Sequence, residues 1–440
     1  MKAINSVYLV ITVGVAILSN ALIKHIQLSD LRSHQALHRR KKEREKWSDF
    51  NKRISDRQFR RLFRMNRYCF YRLCSRIIAA IGEKAFKSEE YIHGFLENKS
   101  SIYEAHKLTS GGFISGEVKV AVMLRVLSGG DVLDISLIFD IESSKCTKIF
   151  QDVLKSWIID TGIGGFDLNS YFFNEDLMKI VAQGFSTRSS GIVYGAIGAL
   201  DGWIVQITKP SWRYDFLQNI SGFFSRKGFY ALNVQCLVDD KKRFLWANPA
   251  YRGSSHDSTC FRHSELYNIL SRISDHLSKL GFFILGDSAY AIDSFIIVPY
   301  PNAKVGSKED SFNFYHSSAR ITVECAFGEV ALRWGIFQKP LLYSVDTSMM
   351  IIEGSFRLHN FLVDYREESN TLEDIENEIK YFEIQAIEEG QLPVVSGNDV
   401  GNLGGRLSSI DSVRRSLGEN KRNQLRDQLF LANKTRPNKK

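Results

Sequence analysis

The chain has six cysteines in 440 residues, and it lacks any CxxC pair or His/Cys cluster. Cys69, Cys74, Cys146, Cys236, Cys260 and Cys325 are scattered along it. This argues against a disulfide framework and a structural zinc site, and it fits a reducing compartment. Bias in bulk composition is also missing. A hydrophobic content of 44% and a charged content of 24% are ordinary for a globular protein. The length allows about two or three domains and a substantial core.

Charge is absent from residues 3–23, a mostly apolar run containing YLVITVGVAIL. That length sits at the threshold of about 20 residues needed to span a bilayer. Ser19-Asn20-Ala21 also fits a signal-peptidase site. An anchor or leader, a buried helix and an upstream stretch foreign to the working protein are all open readings. The net charge of +9 is unevenly spread. Residues 24–76 hold 17 Lys/Arg against 5 Asp/Glu, residues 366–399 hold 2 against 10, and residues 406–440 hold 10 against 3. These blocks predict a basic amino-terminal arm (1–46, with the apolar run), an acidic linker and a basic tail with helical spacing, the last two forming a partly disordered appendage over 366–440. RRKKEREK, at positions 39–46, suits nuclear import or phosphate contact, and a solvated helix face equally well.

Between these ends the period of the apolar pattern divides the chain. Residues 47–170 read as an all-α region. Within it, positions 59–81 have helical apolar spacing with basic residues between, an amphipathic helix. The pattern over 115–159, broken at Gly129-Gly130, fits either a helix-turn-helix or two core helices. Past Gly191 the runs IVYGAIGALDGWIVQI, FYALNVQCLVD and RFLWANPAY read as a strand meander, with a turn at Asp239-Asp240-Lys241. A helical run (SELYNILSRISDHLSKL), the strands FFILGD and FIIVPY, and a further helix complete a mixed α/β sheet over 171–365.

Three acids are out of place in this pattern. Asp201 interrupts an apolar strand, Asp287 ends a buried one, and Glu324 sits in an apolar helix among Ile321, Ala326 and Phe327. Buried carboxylates are costly without a cation, and converging ones repel. All-oxygen ligation suits Mg²⁺ or Mn²⁺ and not zinc. Two such ions can activate a water or a 3′-hydroxyl and stabilise the leaving oxygen of a phosphodiester. The alternative is local pairing, with Arg320 placed to meet Glu324 at i, i+4.

These residues carry a family resemblance. IGALDGWIVQITKP (197–210), RKGFYALNVQ (226–235), RGSSHDSTCF (252–261), ILGDSAY (284–290) and FNFYHSSARITVECAFGEVALRW (312–334) occur in the order found in PIF/Harbinger-type DDE transposases and their domesticated relatives. LHNFL (358–362) is similar too, and the likeness covers roughly positions 56–365. The resemblance implies an RNase H-like mixed sheet with flanking helices, preceded by an all-α region. It implies a metal-binding triad of Asp201, Asp287 and Glu324 that uses Mg²⁺ or Mn²⁺ to hydrolyse DNA and transfer strands. His256 and Asp257, in the HDS motif, would order the site or touch DNA. Lys209, Arg226 and Lys227 lie in loops near the first strands and are candidates to hold phosphates. A nuclear location and a separate Myb-like DNA-binding partner are also implied, and a homo-oligomer is compatible with it.

The chain departs from the family pattern in places. Trp203-Ile204 replaces the common Thr-His, and Ala291 replaces a Pro. Cys325, Glu329, Ala331 and Gly335 stand where relatives often carry Arg or Lys. The rival expectations are therefore a DNA- or partner-binding protein that keeps the fold without the activity, and a membrane-associated protein directed by residues 3–23.

Overall fold

The computed structural model describes residues 44–81, 114–160, 167–211, 220–368, 409–432 and 434–437. The apolar run 3–23, most of the basic cluster at 39–46 and most of the acidic linker lie outside them.

The amino-terminal region is helical: α1 (Trp47–Arg53), α2 (Asp56–Phe63), α3 (Arg67–Ile81), α4 (Gly116–Leu127), α5 (Val132–Phe139), α6 (Ser143–Asp160), α7 (Leu168–Phe172) and α8 (Glu175–Arg188). The amphipathic stretch expected as one helix over 59–81 is two. Arg64 takes a left-handed conformation that ends α2, and the Asn66 side chain accepts the Cys69 N–H to start α3. Ser55 and Gln58 close a capping box at the other end of α2. Trp47, Phe50, Phe59, Phe63 and Phe70 fill the space between these helices; the Trp47 and Phe70 rings stack at 5.0 Å. Helix α4 is buried on nearly every side.

Helix α6, the second helix of the proposed helix-turn-helix, is a packing spine. It buries Cys146, Ile149, Phe150, Val153, Leu154 and Trp157, and it lies against α4 and the late helix α13 (Val345–Glu368). Gly129, between α4 and α5, has φ +88°, and a Cβ on Gly335 would lie 2.6 Å from the Ser128 carbonyl. The two glycines let the helical region close onto the sheet domain.

The sheet contains β1 (Ala196–Gln206), β2 (Ala231–Val238), β3 (Phe244–Arg252), β4 (Phe283–Leu285) and β5 (Ile296–Ile297) in the order β3-β2-β1-β4-β5. The first three form the antiparallel meander; β4 and β5 add in parallel. This is the RNase H-like arrangement that the motifs imply. Every residue of β2 is buried, so the sheet is covered on both faces. The run expected as one helix before β4 is divided into α10 (Glu265–Arg272) and α11 (Ser274–Leu280), after a short α9 (Asp257–Arg262). Helix α12 (Lys308–Arg333) packs on β1 and β2, α13 on β3, and α8 on β1. The LHNFL segment lies on α13. Asn360 bonds both the N–H and the carbonyl of Phe244, and His359 meets the Lys242 carbonyl, which fixes the start of β3.

The basic tail, expected within a partly disordered appendage, contains a docked helix, α14 (Ser409–Leu431), over its described length. It packs on α12 and on the short edge strand β5. Leu425 and Leu429 are buried there. Arg422 donates to the carbonyls of Val298 and Pro299 and lies 4.1 Å from the Tyr300 ring centre. Arg426 pairs with Glu309 at 3.0 Å and Arg436 with Asp310 at 2.8 Å, both acids in the first turn of α12. The helix covers a sheet edge that would otherwise offer unpaired backbone groups. Placing a charge there by Leu425→Asp with Leu429→Asp is expected to undock α14 locally. Amide hydrogen exchange over 409–431 should accelerate by orders of magnitude while β1 and β2 stay protected.

Candidate active site

Strand register brings the two aspartates together. Ala199 on β1 pairs with Leu285 on β4 in parallel, so two residues further along these chains stand Asp201 and Asp287. Gly286 is needed at the approach, because a Cβ there would lie 2.7 Å from the Ile296 side chain. Asp287 then turns out of the strand and accepts the Ala289 N–H at 2.9 Å.

Glu324 reaches the same place from α12. Two contacts set the position of that helix. The Trp203 ring, two residues past Asp201, stacks on Phe327, three residues past Glu324, at 5.6 Å. Buried His316 meets the Ile297 carbonyl at 3.0 Å, and burial pushes its imidazole down to about 4, so it is neutral near pH 7. The Trp203 departure from the family pattern is thus a packing residue that ties strand to helix.

Arg320 lies between two of the three acids. Its Nη1 donates to Asp201 Oδ2 at 2.6 Å and its Nη2 to Glu324 Oε1 at 2.5 Å. The side chains of Arg320 and Asp201 are each 15% exposed. Burial pushes the Asp201 carboxyl up to about 7; Arg320 opposes the rise, and the nearby charges of Asp287 and Glu324 add to it. Burial also raises Asp287, against the Ala289 N–H and Arg320 and with help from Asp257 and Glu324. Arg320 therefore pairs locally with Glu324 and across the fold with Asp201, and the charges of all three acids are felt within the site.

A fourth carboxylate borders this group. Asp257 Oδ1 accepts from the Asn233 amide at 2.8 Å and the Gln235 amide at 2.7 Å; the Gln235 carbonyl accepts from Tyr290 Oη at 2.7 Å. Asn233 and Gln235 alternate on β2, which places both amides on one side of the strand. Their position in RKGFYALNVQ, two polar residues inside a buried run, was the available sequence signal. Gly202 leaves the space, since a Cβ there would lie 2.5 Å from Asp257 Oδ1.

The other candidates stand apart from the cluster. His256 is exposed at the start of α9, with no capping bond from its side chain. Lys209 is exposed just past β1, and Arg226 and Lys227 are exposed in the turn before β2. Glu329, one of the departures, pairs with Lys242 of the β2–β3 turn at 2.5 Å.

Residues 200–360 match the family described as DDE superfamily endonuclease, a span that begins one residue before Asp201 and ends at Asn360. This segment is therefore similar to a DDE superfamily endonuclease domain. "Protein ALP1-like" of Arabidopsis thaliana is 22% identical over 346 residues, 74% of this chain and 77% of that protein. The proteins named "Putative nuclease HARBI1" of Mus musculus and Bos taurus are 25% and 24% identical over 174 residues, 39% of this chain and 47% of theirs. The match therefore spans about half the length of the HARBI1 relatives. No solved structure matches the chain. The Harbinger-type resemblance of the motifs holds.

The donor set of this DDE domain is all oxygen, with more negative charge than one guanidinium balances. That chemistry fits a hard divalent cation. Among the described residues, however, no group of three or more His, Cys, Asp or Glu is so arranged that it could hold a metal ion.

Two expectations follow. A carboxyl raised from its unfolded value near 4 to about 7 makes the folded protein bind the extra proton between those values, so stability falls as pH rises through that window. Urea titrations of metal-free protein should show this decline, and Asp201→Asn should flatten it. Gly202→Ala should push Asp257 off its two amides and cost about 1–3 kcal/mol in the same titration.

Proposed function

We propose that the chain is a transposase-derived DNA endonuclease in which Asp201, Asp287 and Glu324 would hold Mg²⁺ or Mn²⁺. The observation that carries this reading is the meeting of the three acids of a DDE domain at the junction of β1, β4 and α12, partly shielded from water. Divalent ions bound there would activate the attacking oxygen and stabilise the leaving oxygen of a phosphodiester. The protein's own contribution is to hold the acids in place through the β1–β4 register and the Trp203–Phe327 stack. Asp257, fixed by Asn233 and Gln235, is a positioning residue at the border of the site. Exposed Lys209, Arg226 and Lys227 would take DNA phosphates, giving affinity that falls with salt. DNA as substrate, a nuclear place of action, and a Myb-like partner or a second copy belong to the same proposal.

One observation favours a second reading, a DNA- or protein-binding protein without activity: Arg320 already pairs with two acids of the triad. Labelled duplex DNA incubated with purified protein and Mn²⁺ separates the two. Cleavage is expected, with Asp287→Ala reducing it by more than about a hundredfold. No cleavage by the wild type, or equal cleavage by the variant, favours the second reading.

A further inference from the structure

The cation between Asp201 and Glu324 in this structure is a side chain. Arg320 uses different nitrogens for the two, bridging strand β1 to helix α12. Asp201 has both oxygens engaged, Oδ2 by Arg320 and Oδ1 by the Gly202 N–H at 2.8 Å. A carboxylate held this way cannot offer the same lone pairs to a metal ion. Partial burial makes the contest matter, because ion pairs shielded from water are not the weak, screened pairs of an open surface.

We propose that Arg320 is the resident counter-ion of the metal-free DDE site, and that a divalent ion enters by displacing its guanidinium from Asp201, from Glu324 or from both. The inference rests on the metal reading above. It gives the bridge between β1 and α12 a role: one guanidinium offsets part of the repulsion between Asp201 and Glu324. Arg320 is long, sits on the helix one turn before Glu324, and can leave without unwinding α12.

A clamp that holds the acids ready for metal predicts the opposite sign, which makes the proposal testable by binding alone. Protein stripped with EDTA is titrated with Mn²⁺ in a calorimeter as wild type, Arg320→Gln and Arg320→Lys, and each is melted with and without the ion. Arg320→Gln should bind Mn²⁺ about tenfold tighter or more, since no ion pair has to be broken. In EDTA it should melt below the wild type, and Mn²⁺ should raise its midpoint by more than it raises the wild type's. Arg320→Lys, which keeps the charge and cannot span both acids, should fall between. Binding equal to or weaker than wild type in the variants makes Arg320 a clamp and overturns the proposal. Binding by Arg320→Gln alone supports it strongly. Failure of all three proteins to bind removes the metal reading itself, and this inference with it. If Arg320→Gln does not fold, the lysine variant decides by the same comparison with wild type.

Discussion

Bringing three carboxylates together out of bulk water is the constraint on which the site depends. The two aspartates are destabilised by burial and by neighbouring charges, which is visible in Asp201 being pushed up to about 7 and Asp287 being raised with it. A fold that only packed well would not choose this arrangement. It persists because other interactions over-determine it. The parallel register of β1 and β4 sets the aspartates side by side. The Trp203–Phe327 stack holds α12 against β1, and Arg320 supplies a local positive charge. The stack and the register need no charge, so they can hold the frame while the cation in it changes.

The surrounding polar groups follow from the same constraint. Asn233 and Gln235 sit in a strand whose every residue is buried, where an unpaired amide would be expensive. Their partner is Asp257, another carboxylate, and Tyr290 completes the chain of bonds. Gly202 makes this possible by omitting a side chain beside Asp201. The HDS and LHNFL motifs then have distinct physical roles: one borders the carboxylates, and the other anchors the start of β3 through Asn360 and His359.

How much of this could be read in the sequence depended on the range of the interaction. The strand meander, its turn at Asp239–Lys241 and the three misplaced acids follow from local pattern, and all three features are found in the fold. The i, i+4 pairing of Arg320 with Glu324 was also legible, being set by helix geometry. Its second bond, to Asp201, spans 119 positions and depends on how α12 lies across the sheet. The break at Arg64–Asn66 was missed because no glycine or proline marks it; a left-handed arginine and an asparagine cap end an apolar period that otherwise continues. The docked tail was missed for a different reason. Its composition is polar and basic, and among the described residues Leu425 and Leu429 are its buried apolar anchors. Much of its remaining binding comes from polar side chains such as Arg414, Arg422, Arg426 and Arg436 meeting carbonyls and acids on an edge that composition does not reveal.

The departures around Glu324 acquire a different meaning once charges are placed in space. Glu329 in place of a basic residue would look like a loss of positive charge from the helix that carries the third acid. In the fold, Lys242 reaches it from the β2–β3 turn, and the Glu329 side chain is 11% exposed. The pair therefore fixes that turn to α12, five residues beyond Glu324. Gly335 replaces a charge with a close backbone approach to Ser128, which is how the helical region meets the sheet domain. In this chain both Glu329 and Gly335 serve as internal fastenings. The positive charge retained at the acids is Arg320, which pairs Asp201 with Glu324 and, on the proposal above, would have to release them before they could serve as ligands.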